Sequence, residues 1–583
     1  MMDMEDSAMP EQPAELQRIN WAACFPFIQL FRTFKMALHP GKLGLALAAL
    51  LSIGLLGWLL DRLWPVRHQP VTDEVHAFWR TPDIDAWRNQ RLDALPDVVR
   101  AAYQQEGFTL PEAVANDLKG RDRVAGAYRR AMDDFRKQGY DKLWKLKPEE
   151  RAAAAARLNT TYRQLERFRH RGVFTAFLSY ETSAVRQFID SIATLNLTGR
   201  TREVLNARHG AGFAAFPLGD GPLGLTADPT RLPGPDIAVS QSETGIGALG
   251  SLILMARGVQ WLVLEHPWFS LLFLLGKLAI LSFFGGAICR MAALNFARDE
   301  RIPLRSALTF AARKYVGFFT APLLPIGLIL GLGVVLALGG LIGSIPFGGG
   351  TLAGLLLFLS LLAGLIMALV LIGLLAGGSL MWPTIAVESS DSFDAMSRSY
   401  SYVYSRPWRA AFYALVAAVY GAICYLFLRF FVWLVFRLAR AFLGIGMAFT
   451  DRPGTGAPGA RRIDALWPMP SFDDLLRSRP PFAAVNWDDT VGYWLSMLWL
   501  GLTVLLLCSF LVSFYLSAST IIYYLLRREV DATDLEDVYS EDIEEEEPAR
   551  TTTPAAPAPA GESTPASGPE TPPPQAGESP TRA

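Results

Sequence analysis

The longest stretch without a charged side chain, residues 315–387, constrains this chain more than any other feature. It contains 73 consecutive residues and no Asp, Glu, Lys or Arg. Because about 20 apolar residues cross a bilayer core as one helix, the stretch predicts two spans, at 317–342 and 352–378. The residues between them, Gly343 to Gly350, are rich in glycine and include Pro346, which predicts a tight hairpin. A charge-free stretch of this length excludes a fully soluble protein.

Further apolar segments bring the expected number of spans to about six. They are predicted at 43–60, 268–288, 317–342, 352–378, 410–428 and within 491–526. The composition agrees, with 51% hydrophobic and 19% charged residues and a mean hydropathy of +0.24. We therefore expect an all-α, polytopic transmembrane helix bundle. The first span lacks a small-residue cleavage site and is interpreted as a retained signal anchor.

The segments between the spans define the expected domain organisation. In chain order it comprises a cytoplasmic N-terminal segment with an amphipathic helix (1–42), the first span (43–60), an extracytoplasmic helical domain (61–267), a membrane domain of spans two to five (268–428), an extracytoplasmic interfacial helix and loop (429–490), the sixth span (491–526) and a disordered cytoplasmic tail (527–583). Within the membrane domain, 303–314 and 391–405 are predicted to be cytoplasmic amphipathic helices. The tail is acidic and then rich in Pro, Ala, Thr and Ser, so it has little apolar surface to bury.

The distribution of Lys and Arg near the span ends predicts the orientation. Basic residues cluster in the segments 1–42, 290–314 and 379–409 and at Arg527 and Arg528. With six spans these segments all fall on one side, which the positive-inside rule makes cytoplasmic. We therefore expect both termini in the cytoplasm and a multi-pass protein of a bacterial-type inner membrane.

Three arginines oppose this rule after the fifth span. Arg429 and Arg440 lie at nearly the same helical angle and Arg437 about 80° away, with aromatic residues between them. They could form a cationic face that lines a polar cavity, or an interfacial helix whose arginines touch lipid phosphates. The second interpretation is favoured, so the three are predicted to be interfacial residues.

The segment from Ala386 to Trp408 is the most distinctive in the chain. A carboxylate follows a span, and an Arg-Ser step and a basic-aromatic step come after it. The residues that form this candidate structural motif, together with a related glutamate after the second span, are Glu300, Glu388, Asp394, Arg398, Arg406 and Trp408. The pattern resembles several uncharacterised bacterial polytopic membrane families and, more distantly, the membrane domain of glycerophosphoryl diester phosphodiesterases. The resemblance covers roughly 268–440 and implies a membrane fold, without a catalytic domain.

A weak internal repeat accompanies this motif. Glu300 to Ala307 and Glu388 to Ala395 share their spacing at an offset of 88 residues, and each follows a span. In the second copy, Asp391 can cap a helix, while Asp394 and Arg398 form an i, i+4 pair. The identity between the copies is low, so chance similarity is an equally good explanation.

Lys277 is the candidate functional residue inside a span. It interrupts the second span ten residues after its start, where a central lysine costs roughly 2.5–3.5 kcal/mol on insertion scales. It could form an ion pair or contact a substrate inside the bundle, or it could extend its amine toward the membrane surface. Spans three and four offer it no charged partner.

The sequence contains no recognisable reactive chemistry. The four cysteines and six histidines show no ligand spacing, and no nucleophile elbow, Walker A or HExxH motif occurs. We expect no catalytic, cofactor-binding or metal-ligating residues, no cofactor and no enzymatic activity. No basic block indicates nucleic-acid binding. The expected partners are the lipid bilayer and other membrane or envelope proteins, bound through 62–265 and the acidic tail.

Two classes of function are compatible with these features. The preferred hypothesis is a non-enzymatic structural, scaffolding or envelope-assembly role in the inner membrane. The alternative is a transporter or channel component with Lys277 inside the bundle. Polar side chains that converge within the bundle would favour the alternative.

Overall fold

A computed structural model describes residues 25–199 and 246–539, except 66–67, 82, 119, 121–122, 195, 197, 347, 449–461, 473, 477–481 and 483–486. Several predictions from the sequence lie outside these residues. They concern parts of the N-terminal segment (1–24), of the predicted extracytoplasmic domain (200–245) and of the tail (540–583).

The described residues form helices and no strand, which confirms the all-α prediction. A single isolated bridge pairs Val71 with His170. In chain order the α-helices of the described part are α1 (Arg32–Ala37), α2 (Pro40–Leu63), α3 (Glu74–Arg80), α4 (Ile84–Glu106), α5 (Glu112–Asp117), α6 (Val124–Lys145), α7 (Pro148–Glu166), α8 (Val173–Ala193), α9 (Ala248–Glu265), α10 (Pro267–Ala297), α11 (Leu304–Arg313), α12 (Tyr315–Thr320), α13 (Leu323–Gly343), α14 (Gly349–Leu355), α15 (Leu357–Glu388), α16 (Ser392–Ser405), α17 (Pro407–Ala448), α18 (Arg462–Leu466) and α19 (Trp487–Asp531).

Seven helices in the described residues are long and apolar enough to cross a membrane, so the chain is a multi-pass membrane protein. They are α2, α9, α10, α13, α15, α17 and α19. The sequence predicts about six spans, and α9 is the additional one. Its apolar window is 44% buried, the largest share among the seven, because it packs along α8.

The centre of the bundle is formed by α2, α10, α15 and α19. Ala46, Ile288, Met381 and Leu516, one from each helix, belong to the same buried cluster. The hydrophobic effect does not drive helices together inside a lipid bilayer, so close side-chain packing must hold them. Small residues allow this close approach. These four helices therefore form the rigid part of the membrane domain.

The hairpin of α13 and α15 lies at the edge of the bundle. No part of the apolar window of α13 is buried, and only 6% of that of α15 is. A Cβ atom at Gly327 or Gly331 would meet nothing within 4 Å. Gly373 and the ring of Tyr400, in contrast, are in close contact, because α16 folds back along α15.

Helix α17 extends beyond the end that the sequence predicts for the fifth span. It continues without a break from Pro407 to Ala448, whereas the prediction separates a span at 410–428 from an interfacial helix after it. No proline occurs after Pro407 until Pro453, so no residue lacks the backbone N–H that the helix needs. The arginines of this region are accommodated by protein partners described below.

The helices α4 to α7 form a helical head, residues 84–166, whereas α3 packs against α8 and α9. The core of the head contains Tyr103, Tyr128, Phe135 and Leu158, all fully or almost fully buried. Phe482, from the segment between α18 and α19, inserts into the same core. The head and Phe482 thus lie on the same side of the bundle.

Helix α8 connects the head to the bundle. Asp61, near the end of α2, accepts hydrogen bonds from the backbone N–H groups of Phe174 (2.8 Å) and Thr175 (3.0 Å). The ring of Phe174 packs directly over Gly57, where a Cβ would lie 2.3 Å from the ring. Only glycine allows this approach, so the end of α2 and the start of α8 form one joint.

Candidate functional site

The spanning helices α15 and α19 meet at one end of the bundle in a network of charged side chains. Glu388 forms ion pairs with Arg398 of α16 (2.5 Å) and with Arg527 of α19 (3.1 Å). Tyr523 donates a hydrogen bond to the same carboxylate at 2.5 Å. Arg527 also pairs with Asp537 at 2.7 Å. We call these five residues the Glu388 cluster.

The chain reversal after α15 positions this cluster. Ser389 has a left-handed backbone conformation with φ of 55°, which ends α15 directly after Glu388. Asp391 then caps α16 by accepting a hydrogen bond from the N–H of Asp394 (2.9 Å). One turn further, Arg398 reaches Glu388 on one side and Asp394 (2.9 Å) on the other. The carboxylate of Glu388 is largely buried and that of Asp394 is 38% exposed.

Two buried tyrosines extend the network toward the end of α19. Tyr402 of α16 donates a hydrogen bond to Asp531. Tyr413 of α17 donates one to Glu529 at 2.5 Å, and Glu529 also pairs with Arg409 at 2.8 Å. The last turn of α19 is therefore held by α16 and α17 as well as by α15.

Residues 532–538 fold over this end of the bundle, which corrects the predicted start of the disordered tail at 527. Helix α19 continues to Asp531 instead of ending near 526. Beyond it, the side chain of Arg527 donates to the carbonyl of Asp537 (2.9 Å) and that of Arg298 to the carbonyl of Val538 (3.3 Å). Acidic composition predicted disorder here, but basic side chains of the bundle pair with this part of the acidic segment.

The structure brings together only part of the predicted motif. Glu388, Asp394 and Arg398 belong to one network, whereas Glu300, Arg406 and Trp408 are exposed. The two copies of the weak repeat therefore differ in their chemistry, because Glu300 has a surface position and Glu388 a buried one. Both chain reversals do contain a left-handed residue, Asp299 in the first and Ser389 in the second.

Lys277 has an acidic neighbour that the sequence analysis missed. Glu181 of α8 is the group whose charge acts on Lys277 in α10. Glu181 packs against α9 so closely that a Cβ at Gly258 would lie 2.3 Å from its Oε1 atom. Burial raises the pKa of Glu181 to about 7, and the charge of Lys277 opposes that increase. The partner was missed because it comes from the segment before α9 and not from a span.

This pair predicts a pH dependence of stability. The pKa of Glu181 is about 7 in the folded protein, above its ordinary value of 4.5, so its protonated form favours the folded state. We expect the unfolding temperature of the detergent-solubilised protein to fall as the pH rises from about 4.5 through about 7. Glu181→Gln should flatten this slope, and Lys277→Leu should extend the fall to higher pH. Equal pH profiles for wild type and Glu181→Gln would contradict the assignment.

The arginines of α17 bind the chain itself. Arg429 is buried and donates two hydrogen bonds to the carbonyl of Phe472, at 3.1 and 2.8 Å. Arg440 donates to the carbonyl of Trp467 (2.9 Å) and pairs with Asp464. Arg437 lies over the ring of Trp433, 5.9 Å from its centroid. Arg429 and Arg440 thus bind residues that follow α17 in the chain, Asp464, Trp467 and Phe472. Neither interpretation of the sequence included this role.

A second basic residue with an unexpected environment is Lys42 at the start of α2. Its side chain is 1% exposed, and its Nζ atom has no hydrogen-bond partner in the described part of the chain. In the sequence, Lys42 is one of the basic residues of the 1–42 segment that predict the orientation. Its burial arises because α10 packs along α2, which no local pattern predicts.

Within the described ranges, no group of three or more His, Cys, Asp or Glu residues could hold a metal ion. The buried hydroxyls of Thr384 and Thr520 donate to carbonyls of their own helices, at 2.9 and 2.8 Å. The Thr384 hydroxyl also lies 3.3 Å from the Ser399 hydroxyl of α16, so one of these contacts joins two helices. Hydrogen bonds to the carbonyls of the same helix satisfy such buried hydroxyls.

These features define an α-helical, multi-pass membrane protein with a helical head and an ion-paired cluster at one end of its bundle. Residues 245–518 match the model of a family described as a domain of unknown function (DUF7847). The match extends from just before α9 into α19 and leaves out the head, Arg527 and Asp537. It supports the resemblance to an uncharacterised family, but it shows no link to glycerophosphoryl diester phosphodiesterases. No curated protein and no solved structure matches the chain.

Proposed function

We propose that this protein is a non-enzymatic anchor of a bacterial-type inner membrane, with a structural, scaffolding or envelope-assembly role. In this proposal six of the seven candidate helices cross the membrane and α9 packs along α8 without crossing it, so both termini face the cytoplasm. The head is extracytoplasmic, and the acidic tail and the head are the two surfaces for membrane or envelope proteins. The distant likeness to the membrane domain of glycerophosphoryl diester phosphodiesterases remains a hypothesis about the membrane fold.

The observation that carries this proposal is the mutual pairing of charges in the Glu388 cluster. Glu388 and Arg527 stand at the ends of two spanning helices, and each is 90% buried. Their charges are used to join α15, α16 and α19, which suits a rigid support. A transport route would instead need polar groups along the interior of the spans, accessible to a solute.

The alternative, a transporter or channel component, has one specific observation in its favour. The charge of Glu181 acts on Lys277 of a spanning helix, and Lys42 is buried without a hydrogen-bond partner among the described residues. Ionisable residues inside membrane proteins are often functional. This alternative assigns Lys277 an essential role, whereas the anchor hypothesis does not.

Complementation of a deletion strain separates the two hypotheses. We expect Lys277→Leu to restore the function of the strain, because an anchor does not depend on this charge. Truncation after Val538 should not restore it, since the acidic binding surface is lost while the contacts of Asp537 and Val538 are kept. Membrane abundance of both variants serves as the control. A stable, correctly inserted Lys277→Leu protein that fails to complement would favour the transporter.

A further inference from the structure

A cavity of about 300 Å³ lies between the head and the bundle. It is lined by Arg129, Arg169, His170, Arg171, Gly172 and Thr175. Three of these residues are cationic and none carries a carboxylate. The lining therefore has the composition of an anion site, because guanidinium groups present several hydrogen-bond donors to phosphate or carboxylate oxygens.

The positive charges of the cavity are not neutralised by the protein. Arg129 donates to the neutral Oε1 atom of Gln69 at 2.9 Å. Among the described residues, no carboxylate lies within 4.0 Å of the charged nitrogens of Arg169 or Arg171. Asp61, the acid beside Thr175, already accepts hydrogen bonds from two backbone N–H groups and from the Thr175 hydroxyl. Glu74, whose charge acts on His170, is paired with Arg88. These two carboxylates are thus engaged by other groups, while three arginines line the cavity, so the lining itself is positive.

His170 supplies an independent indication that the cavity is a built site. Its side chain is 8% exposed, and its Nδ1 atom has no hydrogen-bond partner in the described structure. Buried polar atoms of proteins are normally paired, so an unpaired one in a cavity wall needs an explanation. Burial lowers the pKa of His170 to about 4, so the ring is neutral at pH 7 and can donate one N–H group.

The position of the cavity selects the kind of anion. The charge-free first span ends at Asp61, and Asp61 is hydrogen-bonded to Thr175 in the cavity wall. The cavity is thus level with the end of a spanning helix, where lipid headgroups lie. We propose that it binds the phosphate group of an anionic phospholipid from the adjoining leaflet, and that this lipid fastens the head to the membrane surface.

Lipid-dependent thermal stability of the full-length protein tests this proposal. Dioleoyl phosphatidylglycerol is titrated into the detergent-solubilised protein, with dioleoyl phosphatidylcholine and inorganic phosphate as parallel ligands. The cavity variant combines Arg129→Gln, Arg169→Gln and Arg171→Gln. The matched control combines Arg157→Gln, Arg163→Gln and Arg167→Gln, which remove three exposed charges of the same region outside the cavity.

We expect phosphatidylglycerol to raise the unfolding temperature of wild type and control in a saturable way. In the cavity variant the half-saturating concentration should rise at least about tenfold, since several charge-assisted hydrogen bonds are lost. Saturable binding of inorganic phosphate that displaces phosphatidylglycerol would assign the site to free phosphate and overturn the lipid assignment. An equal response of cavity variant and control would overturn the site itself. If the triple variant does not fold, Arg169→Gln alone is titrated against Arg163→Gln with the same criteria, because both side chains are exposed.

Discussion

Glu388→Gln is expected to lower the free energy of unfolding by about 2–4 kcal/mol, the largest effect among the polar substitutions considered. The substitution removes the negative charge that faces Arg398 and Arg527, and Arg527 is 90% buried. Loss of one partner from a buried ion pair leaves the other charge poorly solvated, which is the main source of this cost. Arg527 keeps its pair with Asp537, so the effect should stay below that of an isolated buried charge. Thermal unfolding of the purified protein in detergent measures it.

Asp394→Asn is the matched control for this prediction. Asp394 pairs with the same Arg398, but its carboxylate is 38% exposed and that of Glu388 is 10% exposed. Exposed ion pairs contribute about 0–1 kcal/mol to stability. The control should therefore lower the free energy of unfolding by about 1 kcal/mol at most. Similar losses for the two variants would show that burial does not set the strength of the Glu388 cluster.

Gly373→Leu is expected to destabilise the packing of α16 on α15 by about 1–3 kcal/mol or more. A Cβ at this position would lie 2.6 Å from the Tyr400 ring, whose hydroxyl donates to the carbonyl of Val370 at 2.9 Å. The larger side chain must push the ring away and break that hydrogen bond.

Tyr400→Asp should also reduce the amount of folded protein, because it loses the ring contact and places a charge against apolar helix surface.

Gly327→Leu provides the comparison for the glycine prediction. Gly327 also begins a GxxxG pair in an apolar helix, but a Cβ there would meet nothing within 4 Å. We expect it to leave the unfolding temperature unchanged or slightly raised, since leucine has the better helix propensity. Gly373→Leu combined with Tyr400→Ala should recover part of the lost stability. A decrease in the unfolding temperature for Gly327→Leu as large as that for Gly373→Leu would contradict this explanation.

The sequence alone predicts most of the membrane architecture. The charge-free stretch at 315–387 predicts α13, the hairpin after it and α15, and the two amphipathic segments correspond to α11 and α16. These predictions depend only on local properties, namely apolar length and side-chain periodicity along one helix. The length of α17 was underestimated for the same reason. Arginines in the C-terminal half of α17 indicate the end of a span in the sequence. In the structure, carbonyl groups distant in the chain accept their hydrogen bonds.

The candidate sites show where local reasoning ends. Glu388, Asp394 and Arg398 were found because they stand close together in one distinctive segment. Arg527 and Glu181 were missed because their partners are 139 and 96 residues away in the chain. No spacing rule connects residues at such separations, and a single sequence contains no record of which distant pairs meet.

What the sequence by itself determined was the helical class, the membrane location and the positions of nearly all spanning helices, since the cost of placing charges in lipid is fixed by residue type. The tertiary structure alone decided which charges are buried and which are paired. Packing of α15, α16 and α19 brings Glu388 and Arg527 together, whereas Glu300, in a similar local sequence, stays exposed. Burial depends on the helices that cover a residue, and those helices come from remote parts of the chain.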